Sequence, residues 1–357
     1  MFTTKRMDQK LARIRAGRYT PQDFIIADAK DADMAFGVVT AGPQLDAAGQ
    51  PTGRMKPLQR YRDDMVRMIR SESIDIMLTS LASAEVLTHA GAFAGTDVTP
   101  AVRLNDGTDI WVARGAAYKH APTLPFRTAR LDRVKPVADL GLYAISFYND
   151  LHADHRTLDA YARFRDEASA AGVRHFLEVF NPQYEVATPG AAFVDYNNDS
   201  IARCLAGVSR LDAPVFLKVA YNGPRATEDL ASYDPGNVIV GILGGPASTT
   251  RDTFELIRQA EKYGARVALF GRRVYFSEDS VLTIRTMRRV IEENLTSHEA
   301  VHLYHDELQK LGIRPKRALA ADLELTDPVL KPGTFPSFRR SRSQRAGEQR
   351  GTPPSSE

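Results

Sequence analysis

Short apolar runs recur along the chain, each followed by a longer polar or amphipathic stretch. The runs are Phe24–Ala27, Ile74–Leu78, Val98–Leu104, Leu142–Tyr148, His175–Phe180, Val215–Tyr221, Val238–Leu243 and Val267–Phe270. They are too short for core helices and lack a clean polar alternation, which suits strands of a parallel sheet covered on both faces. Helical spacing marks Arg156–Ala171, Ser200–Leu211, Thr250–Tyr263 and Asp279–Leu295 between or after the later runs. Eight strands alternating with helices predict an α/β fold, a (β/α)8 TIM barrel over residues 21–312. A doubly wound open sheet is the competing architecture. The stretch from Leu104 to Pro136 is long for one connection and predicts an inserted loop over the barrel mouth.

Residues 1–20 form a helical extension in this reading, with an amphipathic helix at Lys5–Arg18 closing the barrel bottom. A final helix is expected at Thr296–Leu311. Residues 313–357 form a C-terminal extension, disordered from about 331, where Arg, Ser, Pro and Gly dominate.

Composition narrows the function classes. The chain has 357 residues, 43% of them hydrophobic, and a net charge of +3. The tail from Phe335 to Glu357 holds five Arg against two Glu, so the remaining body is neutral. A neutral body argues against nucleic acid as a partner. No apolar run reaches membrane-spanning length, so no membrane partner is expected. Cys204 is the single cysteine, which suits a reducing cytoplasm, and Met1 to Gly17 lacks the apolar core of a signal peptide. The expected localisation is cytoplasmic.

One residue interrupts the pattern. Lys218 stands at the centre of Pro214-Val-Phe-Leu-Lys-Val-Ala-Tyr221. An ammonium in an apolar strand must be paired or lose its proton. It is either half of a structural ion pair or a desolvated nucleophile able to attack a carbonyl. Barrel chemistry sits at the C-terminal strand ends. Alternation brings Asp28 there from the first strand, in phase with Ile26. It brings Arg103 and Asn105 from the third strand and Glu178, between Phe176 and Phe180, from the fifth. Glu178 and Lys218 would meet on neighbouring strands. Imine formation needs a neutral amine and an acid to expel water, which this pair can supply. Gly244-Gly245-Pro246 follows the seventh strand and Gly271-Arg272-Arg273 the eighth. Loops there supply backbone amides and a cation suited to phosphate.

The order Ile26-Ala-Asp28, Val102-Arg-Leu-Asn-Asp-Gly107, Phe176-Leu-Glu178, Phe216-Leu-Lys-Val219, Leu243-Gly-Gly245 and Leu269-Phe-Gly-Arg272 resembles the class I, Schiff-base-forming aldolases. That group holds the deoxyribose-phosphate, tagatose-bisphosphate and fructose-bisphosphate enzymes. The resemblance implies a lyase in carbohydrate metabolism that makes or breaks a C–C bond, without a cofactor and without a metal. It implies an imine at Lys218, acid/base work by Glu178 and a substrate contact by Asp28. It assigns Arg103 to substrate and Gly244, Gly245, Gly271 and Arg272 to phosphate. The implied ligand is a phosphorylated sugar or ketose, and a homo-oligomer is compatible with it. This chain departs from the pattern in three places. The fourth strand, Tyr143 to Asp150, has no lysine; Arg103 replaces a lysine; Leu243 replaces a serine. These changes point to a divergent member with a different substrate. A non-catalytic sugar-phosphate-binding barrel, with Lys218–Glu178 as a structural pair, is the alternative.

Two further patterns invite metal chemistry. His298-Glu-Ala-Val-His302 matches the zincin spacing, but Thr296 and Ser297 before it read as a helix cap, and no third ligand stands out. Asn149-Asp-Leu-His-Ala-Asp-His155 follows the fourth strand and would suit a divalent-metal-dependent lyase, or a simple helix start. Trp111, Tyr118, Tyr148 and Tyr221 read as packing residues, with Tyr148 and Tyr221 near enough to the mouth to line a sugar.

Overall fold

In the computed structural model, which describes residues 5–246 and 248–333, eight parallel strands close into a barrel. We label them β1 (Ile25–Lys30), β2 (Ile76–Thr79), β3 (Thr99–Arg103), β4 (Leu140–Ser146), β5 (Arg174–Phe180), β6 (Leu217–Val219), β7 (Val240–Leu243) and β8 (Val267–Phe270). Each strand pairs with its sequence neighbour, and β1 closes the ring against β8. All eight predicted runs become strands. The main adjustment is β6, which shortens to three residues, while β1 extends three residues past its predicted end.

Burial divides the strands into two faces. Ile25, Ala27, Ile76, Leu78, Leu140, Leu142, Phe176, Phe216, Val267 and Leu269 fill the barrel interior. Ile26, Met77, Val102, Tyr143, Leu177, Leu217, Ile242 and Phe270 face the surrounding helices. Period-two alternation is thus present, but both faces are apolar and the sequence pattern alone hides it.

The helix Arg6–Arg15 packs Met7, Leu11 and Ile14 into the interior cluster, closing one barrel end. Each such side chain, fully buried, contributes about 1.5–3 kcal/mol. Its polar face converges on Asp75, which takes Arg6 Nε at 2.7 Å, Lys10 Nζ at 3.1 Å and Arg288 Nη2 at 2.9 Å. Burial alone would raise the Asp75 pKa. Arg288, Lys10 and Arg6 overcome it and lower the value to about 2.

Two excursions rise from the other end. The expected insertion after β3 is irregular and is tied back by an isolated bridge between Asp106 and Phe126. Trp111 stacks on Phe126 and meets Tyr118 edge-on, so these rings pack the insertion. A second excursion after β1 escaped the sequence reading. It holds a short helix, Asp33–Phe36, and an exposed two-stranded hairpin, Pro43–Leu45 with Pro51–Met55. The hairpin segment, Pro43 to Met55, is polar and glycine-containing and offers no apolar run to detect. The C-terminal tail from 334 onward lies outside the described residues. Among the described residues, no helix is long and apolar enough to cross a membrane.

Candidate active site

Glu178 and Lys218 are direct register partners on β5 and β6, and both follow the inward phase set by Phe176 and Phe216. Lys218 Nζ lies 2.6 Å from Glu178 Oε1. Gly241, the β7 partner of Lys218, adds no side chain beside it. Lys218 is only 5% exposed, yet it is not sealed: it lines a cavity of about 460 Å³ at the C-terminal end of the strands.

Arg103 extends the pair into a network. Its Nη1 reaches Asp31 Oδ2 at 2.7 Å and Glu178 Oε2 at 3.5 Å, and its Nη2 reaches Asp106 Oδ1 at 3.2 Å. Nε donates to the carbonyl of Asn105 at 2.9 Å. Asn105 is held in turn by the backbone of Ala144, whose amide donates to Oδ1 at 2.6 Å and whose carbonyl accepts from Nδ2 at 2.8 Å. Two cations therefore face three carboxylates in a buried space. Burial raises the Glu178 pKa despite Lys218 and Arg103. It also raises Asp106, to about 6. Asp31 is the exception. Burial pushes it up, but Arg103 and Lys218 prevail and hold it below the ordinary range. The site thus contains one firmly ionised carboxylate and two that bind protons more readily, a separation useful for acid and base roles.

Asp28 does not join this group. It is in phase with Ile26, as read from the sequence, but that phase faces the helices. Asp28 Oδ2 pairs with Lys30 Nζ at 2.9 Å, and Lys30 also reaches Asp64 Oδ2 on the helix Leu58–Arg70 at 3.1 Å. The inward phase of β1 runs Ile25, Ala27, Ala29 and then Asp31, which lines the cavity. The run Phe24–Ala27 is apolar in both phases, so alternation could not choose the face. The available signal was Asp28 with Lys30, two opposite charges two residues apart that satisfy each other.

Gly244, Gly245, Gly271 and Arg272 line the same cavity. Gly271 sits where a Cβ would meet the Ala29 carbonyl oxygen at 2.5 Å, and Gly245 has φ +67°. The two adjacent arginines divide their work. Arg273 is buried and fastens the β7 loop, donating to the Gly244 carbonyl and to Ser248 Oγ. Arg272 turns to the cavity, with its guanidinium 5.5 Å from the Phe36 ring centre. Surrounding protein lowers its pKa, although the side chain stays accessible to solvent, and no carboxylate among the described residues offsets that effect.

The remaining candidates fall elsewhere. The inward positions of β4 are Leu140, Leu142, Ala144 and Ser146, with no cation. Tyr221 belongs to the outer core, its hydroxyl donating to Gln259, and Tyr148 donates to Asp109; neither lines the cavity. In the segment after β4, Asp150 caps the helix Leu151–Ala171 by accepting from the Ala153 amide, and Asp154 accepts from Tyr148 and Tyr196. His152 and His155 are exposed. Glu299 of the zincin-like pattern completes a capping box with Thr296, accepting from its amide at 2.8 Å. Among the described residues, no group of three His, Cys, Asp or Glu is placed to hold a metal ion.

The architecture is a (β/α)8 barrel with a cavity at the C-terminal ends of its strands. Solved structures similar to it include an archaeal fructose 1,6-bisphosphate aldolase, 15% identical, with TM-score 0.56, over 80% of this chain and 99% of that one. A Schiff-base-forming fructose-1,6-bisphosphate aldolase is 16% identical with the same TM-score, over 80% and 99%. Cgl0159 from Corynebacterium glutamicum is 16% identical, with TM-score 0.54, over 81% and 98%. No protein-family model matches the sequence, and no curated relative is similar to it. At these identities the likeness is one of fold.

Proposed function

We propose that this protein is an aldolase-type lyase that forms an imine between Lys218 and a ketone of a phosphorylated sugar or related ketose. The observation that carries this reading is the 2.6 Å contact between Lys218 Nζ and Glu178 Oε1 on the wall of an open cavity. Proton transfer from the ammonium to Glu178 leaves a neutral amine facing the cavity and a neutral acid beside it. Attack on the ketone carbon forms a carbinolamine. Glu178 then returns a proton to its hydroxyl, water leaves, and a protonated imine remains. In the cleavage direction a carboxylate removes the proton from the hydroxyl β to the imine carbon. The C–C bond breaks, its electron pair moves into the imine, and an enamine and an aldehyde result. Asp31, held ionised by Arg103, suits the base role. Protonation of the enamine and hydrolysis of the imine free Lys218. The amides of Gly244 and Gly245 with Arg272 would hold an anionic group of the substrate.

Borohydride reduction tests the reading. Dihydroxyacetone phosphate with borohydride should add a reduced, covalently bound fragment at Lys218, located by peptide mass spectrometry. Lys218→Met should prevent it. Labelling at another lysine, or none at all, would remove the basis for the proposal.

A further inference from the structure

The geometry points to a substrate that carries one anionic group, seated at Arg272, with the rest of the molecule uncharged. This inference rests on the imine reading above and narrows it. Among the described residues, three cations line the cavity: Lys218, Arg103 and Arg272. Lys218 is paired with Glu178 and is the reacting amine. Arg103 is already shared among Asp31, Asp106 and Glu178. A phosphate brought to Arg103 would approach three carboxylates that outnumber the local cations. Arg272 alone faces the cavity without a carboxylate partner among the described residues.

Among the described residues, the other walls offer no second anchor. Ile110 and Val112, from the insertion after β3, line the cavity with Phe180, Asn181 and Gln183. Val112 is 39% exposed, an apolar side chain presented to the space rather than packed away. Fixing a second phosphate against such a wall would strip its water without supplying a counter-charge, which costs more than an uncharged group does. A bisphosphate therefore has one place to anchor and one end opposed, while a monophosphate has its anchor and a neutral remainder.

The test uses the full chain and three ketones with one carbon skeleton: dihydroxyacetone, its monophosphate and its 1,3-bisphosphate. Each is incubated at equal concentration with borohydride, and the adduct at Lys218 is quantified by mass. The monophosphate should label at least 10-fold more than either of the others. Arg272→Met should reduce its labelling to the level of the unphosphorylated ketone. Val112→Lys, which adds a cation to the uncharged wall, should raise labelling by the bisphosphate. Strongest labelling by the bisphosphate would overturn this inference while leaving the imine intact. Equal labelling by dihydroxyacetone and its phosphate would do the same. No label from any of the three would overturn the imine reading, and this inference with it.

Discussion

Arg103 Nη1 lies 2.7 Å from Asp31 Oδ2, joining β3 to the residue just past β1 across the barrel mouth. The same nitrogen stands 3.5 Å from Glu178 Oε2, so one guanidinium keeps Asp31 ionised and also touches the partner of the candidate nucleophile. Arg103 is 5% exposed, and its three acidic neighbours would be left mutually repulsive without it. Arg103→Met should lower folding stability by about 3–5 kcal/mol, the scale for breaking a buried ion pair from one side. Adding Asp31→Asn should recover part of that loss, because one unpaired charge is removed. Denaturant unfolding of the two variants measures both. A simply additive double variant would mean that the residues are not coupled.

Asp31 and Asp28 separate activity from stability. Asp31→Asn should depress turnover of any substrate that labels Lys218, by roughly 10²-fold or more for loss of a positioned base. Asp28→Asn should leave turnover near that of the parent, because Asp28 faces the helices. Its effect should fall on folding, at about 1–3 kcal/mol, with Lys30 retaining Asp64. The reverse result would return Asp28 to the site and remove Asp31.

Lys218→Met should abolish borohydride labelling and lower any discovered activity by roughly 10³-fold or more. It should also destabilise the fold, since Glu178 loses its closest cation. Lys218→Met with Glu178→Gln should be more stable than Lys218→Met alone, yet equally inactive. Recovered stability together with recovered activity would contradict the nucleophile assignment.

His175 predicts an acid-side stability loss independent of catalysis. It is buried at the start of β5, with Tyr161 Oη 2.8 Å from Nε2. Burial, aided by Arg165, lowers its pKa from about 6.5 to about 3. Between these values the unfolded chain binds a proton that the folded chain refuses, so stability falls as pH falls. The slope approaches about 1.4 kcal/mol per pH unit. The stability difference between the parent and His175→Gln should therefore shrink steadily from pH 6 to pH 4. A difference constant across that range would show that the folded state accepts the proton.

Much of the architecture was legible because burial on both faces leaves the same mark in every strand. Val267–Phe270 is a strand from first residue to last, as its apolar run reads, and β7 keeps its predicted end at Leu243. The pairing of Glu178 with Lys218 was legible too. A charge inside an apolar run must find a partner, and adjacent barrel strands place their inward residues together. That Gly244, Gly245, Gly271 and Arg272 line the cavity was legible from their positions just past strand ends.

What the chain alone determined was the strand order and the chemical types available at each strand end, because both follow from local composition. Tertiary structure decided which face of β1 turns inward, and so replaced Asp28 by Asp31. A run apolar in both phases contains no information on that choice; only packing against the helix Leu58–Arg70, where Lys30 meets Asp64, resolves it. Tertiary structure also divided Arg272 from Arg273, one facing the cavity and one fastening the loop above it. It left Arg103 shared among three carboxylates, since those acids arrive from separate points of the chain and meet only when the barrel closes.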